Sequence, residues 1–215
     1  MTQVKICGIK EEYHALAAVE AGADFIGFVF APSKRQVSFA RAHEIINAVK
    51  GRSNAVKTVG VFVNTPVQEV NRVAEYCQLD WIQLSGDETW DYCREIEIPI
   101  IKVVHVPAGK TAMQIIAETK KGSQLSLRHG LICLLDSQGG TAYGGTGQAF
   151  NWQLAKEAST SLPIIIAGGL TPQNVGKLVR NIRPWGVDVS SGIETNGRKD
   201  AVKIREFIQT VREAQ

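Results

Sequence analysis

Short apolar runs rich in β-branched residues recur eight times along the chain. They are Val4–Cys7, Phe25–Phe30, Thr58–Val63, Trp81–Leu84, Ile98–Val104, Leu131–Asp136, Pro163–Ala167 and Gly186–Ser190. Between most of them, apolar positions return at helical spacing, over Glu12–Ala21, Phe39–Val49, Pro66–Cys77, Pro172–Ile182 and Ala201–Val211. Strands that alternate with helices build βαβ units, and these require a parallel sheet. Eight such units within 215 residues predict an α/β protein with a closed (β/α)8 TIM barrel, at the small end of its size range. No low-complexity tract or Pro/Gly/Ser-rich linker interrupts the pattern, so residues 1–215 are expected to form a single domain. An open doubly wound sheet would need a glycine-rich turn after an early strand, with an acidic residue about 20 positions later. Here the glycine clusters follow the sixth, seventh and eighth runs, and the open sheet is disfavoured.

Local signals set the helix starts. Thr65-Pro66 and Thr171-Pro172 each place a proline where a first helical turn accepts one, and Thr171, Val175 and Val179 have the spacing of a buried stripe. The stretches with least pattern, Ser33–Ser38, Val106–Lys110 and Gly139–Phe150, all follow strands, where a barrel carries its functional loops.

Composition adds exclusions. A net charge of +3 is too small and too scattered to argue for nucleic acid or an anionic membrane as partner. No apolar run approaches the roughly 20 residues of a spanning helix, and Met1–Lys5 leads straight into a strand without a leader pattern. Cys7, Cys77, Cys93 and Cys133 lie far apart, without C-x-x-C or histidine spacing, which argues against zinc and against a disulfide framework. A reduced, cytoplasmic compartment is expected, with the last three cysteines as packing residues.

Candidate chemistry collects at strand ends. Cys7 closes the first run and Asp136 the sixth, at the end where barrels assemble their active sites. Alternation puts Lys5 and Cys7 on one face, and Asp136 on the face of Leu134 and Ile132. Apolar neighbours favour a protonated carboxyl, and a cysteine base needs thiolate character that Lys5 could promote. A buried lysine needs a partner. Asp188 of the eighth strand, which adjoins the first when the barrel closes, is the expected one. Glycines in Gly144-Gly145-Thr146-Gly147, Gly168-Gly169 and Ser190-Ser191-Gly192 would let backbone N–H groups approach a phosphate. Arg35 carries a planar fork suited to a carboxylate. His14, His43, His105 and His129 are read as helix or loop residues remote from Cys7.

On these residues the sequence resembles the phosphoribosylanthranilate isomerase family of tryptophan biosynthesis over nearly its whole length. The specific pieces are Val4–Ile9, Leu135-Asp136-Ser137, Tyr143–Gln148 with Phe150-Asn151-Trp152, Ile166–Leu170, Asp188–Glu194, and Lys199-Asp200 followed by Ile204 and Phe207. The resemblance implies an Amadori rearrangement of an aminoaldose phosphate to an aminoketose phosphate, with Cys7 as general base and Asp136 as general acid. It also implies that Gly145, Thr146, Gly168, Gly169, Ser190, Ser191 and Gly192 hold the phosphate and that Arg35 meets the anthranilate carboxylate. No metal or organic cofactor is implied. The partner is a small phosphosugar–anthranilate substrate, and the protein is expected to be a monomer or a homodimer. The family usually reads Gln-Leu-His-Gly after strand four; this chain has Gln83-Leu84-Ser85-Gly86. Rival readings are another phosphosugar isomerase, synthase or epimerase on the same scaffold, a cysteine hydrolase, or a barrel that only binds phosphate ligands.

Overall fold

The computed structural model of the protein describes residues 1–107, 109–125, 127, 129–137, 152, 154–156 and 163–215. Eight parallel strands form a closed barrel in chain order: β1 (Gln3–Cys7), β2 (Phe25–Val29), β3 (Lys57–Phe62), β4 (Trp81–Leu84), β5 (Ile100–Val106), β6 (Leu131–Ser137), β7 (Ile164–Ile166) and β8 (Gly186–Val189). Closure is the pairing of β1 with β8, in which Lys5 is the register partner of Asp188. The helices are α1 (Glu12–Glu20), α2 (Phe39–Lys50), α3 (Val67–Cys77), α4 (Ala112–Ser123), α5 (Pro172–Ile182) and α6 (Ala201–Glu213). A short antiparallel pair, β9 (Glu194–Thr195) and β10 (Arg198–Lys199), sits between β8 and α6.

All eight expected strands form, with ends displaced by at most two residues. Three details differ from the sequence reading. Among the described residues, β4 and β5 are joined by one 3-10 turn, Tyr92–Glu95, in place of an α-helix. Helix α4 was not anticipated, although its start carries a capping signature: Gln114 N donates to Thr111 Oγ1 while Gln114 Oε1 accepts from Thr111 N. Pro66 is the residue before α3 and not within its first turn. At α5, Pro172 is the first helical residue as expected, and Asn174 Oδ1 accepts from Thr171 N at 2.8 Å.

Alternation along each strand divides the apolar residues into two cores. Outward residues such as Val4, Ile6, Ile26, Phe28 and Leu84 pack under the helices with Ile45, Val70, Val175, Phe207 and Ile208. Inward residues Phe25, Val59, Ile101, Val103, Ile132, Leu134, Ile165 and Ala167 fill the barrel. Phe25 packs against Trp81 and Trp185, with ring centroids 5.9 and 6.1 Å apart, and these aromatics floor the interior. The charged residues at the mouth therefore stand on an apolar plug.

Acidic residues ahead of two strands tie the floor together. Asp24 Oδ2 accepts from Val4 N at 2.7 Å, and Asp80 Oδ2 accepts from Thr58 N at 2.8 Å. Arg212 of α6 donates to Asp24 Oδ2, to the Gly22 carbonyl and to the Thr2 carbonyl, clasping the last helix to the first strand. Replacing Asp24 by Ala removes the acceptor from both Val4 N and Arg212. We expect a loss of about 1–3 kcal/mol in urea unfolding, at unchanged m-value, with turnover unaffected because the clasp lies at the opposite end of the strands from Cys7.

Candidate active site

Lys5 and Cys7 both point into the barrel. Lys5 is 1% exposed, and its Nζ donates to Asp188 Oδ1 at 2.9 Å. This is the pair the sequence predicted. Burial works to strip the proton from Lys5; the attraction of Asp188, with that of Cys7, outweighs it and the ammonium is held above its ordinary range. Room for both side chains comes from Gly27, the register partner of Cys7 on β2. A Cβ there would lie 3.1 Å from Cys7 Sγ and 3.2 Å from Lys5 Nζ.

The thiol itself is not depressed. Burial raises Cys7 above its ordinary 9.0, Asp188 reinforces this, and Lys5 and Lys199 only partly oppose it. Lys5 does act in the expected downward direction, but desolvation outweighs it in the free protein.

Cys7 and Asp136 line one cavity of about 550 Å³ at the C-terminal ends of the strands. Arg35, Gln83, Ser85, Val103, His105 and Ser190 share its wall. A smaller recess of about 40 Å³ adjoins it, sharing Asp136, Asp188 and Ser190 and bounded by Gly168, Gly169 and Ser191. Gly168 and Gly169 both have left-handed backbone, with φ of +87° and +64°. Gly169 O accepts from Asn174 Nδ2 at 2.8 Å, which fixes the turn against the start of α5. Gly192 lies in the 3-10 turn Ser191–Ile193, where a Cβ would collide with the Leu170 carbonyl. Two of the three glycine loops are therefore brought side by side; Gly145 and Thr146 lie outside the described residues.

Arg35 reaches the cavity wall from the loop after β2, but its fork already holds a carboxylate. Arg35 Nε donates to Glu194 Oε1 at 2.7 Å and Nη2 donates to Oε2 at 3.0 Å. Lys199 Nζ also donates to Glu194 Oε1, at 2.7 Å, and to the Ser190 carbonyl at 2.8 Å. Burial would raise the Glu194 carboxyl, yet Arg35 and Lys199 drive it down to about 2. The sequence reading quoted Glu194 and Lys199 only as parts of motifs and missed this network. Their separation from Arg35 by more than 150 residues hides it.

His105 corrects the sequence reading more directly. It lies on β5, not in a loop, and lines the same cavity as Cys7. The two strands stand on opposite walls of the barrel, and the imidazole Nε2 is engaged 3.1 Å from the Ser85 carbonyl oxygen. No Cys–His couple arises among the described residues.

The profile of the family described as N-(5'phosphoribosyl)anthranilate (PRA) isomerase matches residues 4–210. The chain belongs to this family. An N-(5'-phosphoribosyl)anthranilate isomerase of Dehalococcoides mccartyi is 45% identical over 214 residues, covering 100% of this chain and 97% of the relative. One from Trichlorobacter lovleyi is 46% identical over 217 residues, with both chains covered fully. The phosphoribosyl anthranilate isomerase structure from Thermotoga maritima superposes with a TM-score of 0.85 at 35% identity, covering 99% of this chain and 100% of its own. A phosphoribosyl anthranilate isomerase solved with reduced 1-(o-carboxyphenylamino)-1-deoxyribulose 5-phosphate superposes at 0.82, also at 35% identity, covering 99% and 100%.

Two stability measurements check the charge network. Lys5→Met leaves Asp188 buried and unpaired, and a loss of about 3–5 kcal/mol is expected in denaturant unfolding; a loss under 1 kcal/mol would refute the assigned burial. Glu194 has a folded value of about 2 against an ordinary 4.5. Its contribution, up to about 3 kcal/mol, is present above pH 4.5 and is lost as pH falls through about 2. Glu194→Gln should therefore flatten the dependence of the urea midpoint on pH across that acid window.

Proposed function

We propose that this barrel isomerises N-(5'-phosphoribosyl)anthranilate to 1-(o-carboxyphenylamino)-1-deoxyribulose 5-phosphate. The observation that carries the reading is one cavity walled by both Cys7 and Asp136, with a glycine-lined recess beside Asp136. A sugar phosphate seated with its phosphate against Gly168, Gly169, Ser190, Ser191 and Gly192 places its ring in the larger cavity, between the acid and the base. The glycine-bearing turns that border the recess let backbone N–H groups approach a phosphate closely.

Asp136 protonates the furanose ring oxygen as the anilino nitrogen lone pair forms a C=N bond and the C1′–O bond breaks. The iminium that results withdraws electrons from the neighbouring C2′–H bond. Cys7 takes that proton, the C–H electrons become the C1′=C2′ bond, and nitrogen regains its lone pair. The enolamine then gains a proton at C1′ and loses one from the C2′ hydroxyl, leaving the ketone. Oxidation at C2′ balances reduction at C1′, so the substrate carries its own electrons and the acid–base pair suffices.

A buried thiol with a raised pKa is a weak reservoir of thiolate, and the substrate corrects this. The cationic iminium stabilises a thiolate held beside it, with Lys5 beneath. Desolvation meanwhile strengthens the base for its one proton transfer. Arg35 engages Glu194 through its Nε–Nη2 edge; the Nη1–Nη2 edge has the geometry for the anthranilate carboxylate. No helix among the described residues is long and apolar enough to cross a membrane, and a cytoplasmic setting matches four cysteines that are all free and buried.

Anthranilate fluorescence reports turnover of phosphoribosylanthranilate. Cys7→Ala and Asp136→Asn should each lower kcat by about a hundredfold to ten-thousandfold; full activity in both would overturn the roles. Arg35→Ala should lower kcat/KM mainly through KM, and Arg35→Lys should restore little of it, because a lysine cannot present a fork. Tight binding of a product analogue without turnover by the unmodified protein would favour a binding module over the isomerase.

A further inference from the structure

Strand β4 carries an amide into the barrel. Trp81 packs on the inner core, and alternation gives Gln83 the same face. Its register partners are Val61 on β3 and Ile101 on β5, whose side chains have no hydrogen to donate. Gln83 is 6% exposed and lines the cavity that Cys7 and Asp136 share.

One end of this amide is satisfied and the other is not. Gln83 Nε2 donates to Ser85 Oγ at 3.0 Å, which fixes the orientation of the group. Oε1 is buried and accepts no hydrogen bond among the described residues. A buried carbonyl oxygen without a donor costs stability, and nearly all such groups in folded proteins are paired. An unpaired acceptor in the wall of a ligand cavity is explained if the ligand brings the donor.

The place of the strand says which donor. In the closed ring β4 stands opposite β8, four strands away in either direction. The glycine-lined recess lies on the β8 side, bounded by Gly168, Gly169, Ser190 and Ser191. A phosphoribosylanthranilate with its phosphate in that recess extends its anilino end toward β4. With the ortho carboxylate drawn to Arg35, the anilino N–H is the hydrogen at that end that still needs an acceptor.

We propose that Gln83 is a further catalytic residue: its Oε1 accepts the anilino N–H of the substrate and holds it while the iminium forms. The proposal rests on the isomerase reading. When the C1′–O bond breaks, the nitrogen becomes cationic and its hydrogen more acidic. The same hydrogen bond therefore tightens as the barrier is crossed, which accelerates the step beyond what binding alone achieves. A neutral amide does this without adding a charge to a barrel that already buries Lys5 and Asp188.

The test begins with Gln83→Met, which fills similar space and removes the unpaired oxygen. Its urea midpoint should not fall below that of wild type. Single-turnover loss of anthranilate fluorescence should slow about tenfold to a hundredfold, with KM held within about threefold. Gln83→Glu keeps an oxygen acceptor in either protonation state and should recover most of the rate. NMR of bound reduced 1-(o-carboxyphenylamino)-1-deoxyribulose 5-phosphate, isotope-labelled at the anilino nitrogen, reads the contact without turnover. Its N–H hydrogen should resonate further upfield in Gln83→Met than in wild type. A lower midpoint with an unchanged rate makes Gln83 a structural residue and overturns the proposal. An unmoved N–H resonance does the same, as does a change in KM alone, which marks a sugar hydroxyl as the donor. If the resonance moves but wild type does not isomerise phosphoribosylanthranilate, the acceptor role stands and the isomerase reading falls. An analogue that does not bind wild type at all sinks both.

Discussion

The site depends on one ion pair placed where the barrel closes. Lys5 and Asp188 are register partners across the seam between the first and last barrel strands, and neither reaches solvent appreciably. A buried ammonium is tolerable only with a partner at contact distance, so this charge requires the seam to be shut. The same ammonium lies beneath the sulfur of Cys7. Barrel closure and the electrostatics of Cys7 are therefore one constraint, and Gly27 supplies the space in which it can be met.

A second layer of charge surrounds the mouth. Arg35, Glu194 and Lys199 join the loop after β2 to the β9–β10 hairpin, and Lys199 also holds the backbone of Ser190 beside the recess. The network positions the Ser190 loop from behind, while the glycines border the recess in front of it. Because Glu194 shares two cations, Arg35 and Lys199 are held in fixed orientations beside the cavity.

Much of this was legible in the residues because periodicity is local. Eight apolar runs gave the strands, alternation gave the inward face of Lys5, Cys7 and Asp136, and ring closure then forced Lys5 toward Asp188. The failures have physical causes too. The α4 helix begins with Thr111-x-x-Gln114, but its apolar stripe is thin and its far end is polar. His105 sits at the last inward position of a strand that runs two residues longer than its apolar pattern, so polarity was read as loop. The grip of Arg35 on Glu194 joins residues 159 apart, and no one-dimensional pattern reports it. The net rise of the Cys7 thiol was not legible because a nearby cation is visible in sequence while the extent of desolvation is not.

The clasp of Arg212 on Thr2, Gly22 and Asp24 has a kinetic meaning. It joins residues 188 apart to Asp24 and 210 apart to Thr2, so it cannot form until the whole chain has been threaded into place. Contacts of such separation carry the largest loop-closure cost and reward folding last. A polypeptide emerging from the ribosome holds the sulfur of Cys7 from the seventh residue onward, yet lacks the strand that closes the barrel beside it until Gly186–Val189 arrives. An unfinished copy therefore has the sulfur but not the closed ring around it.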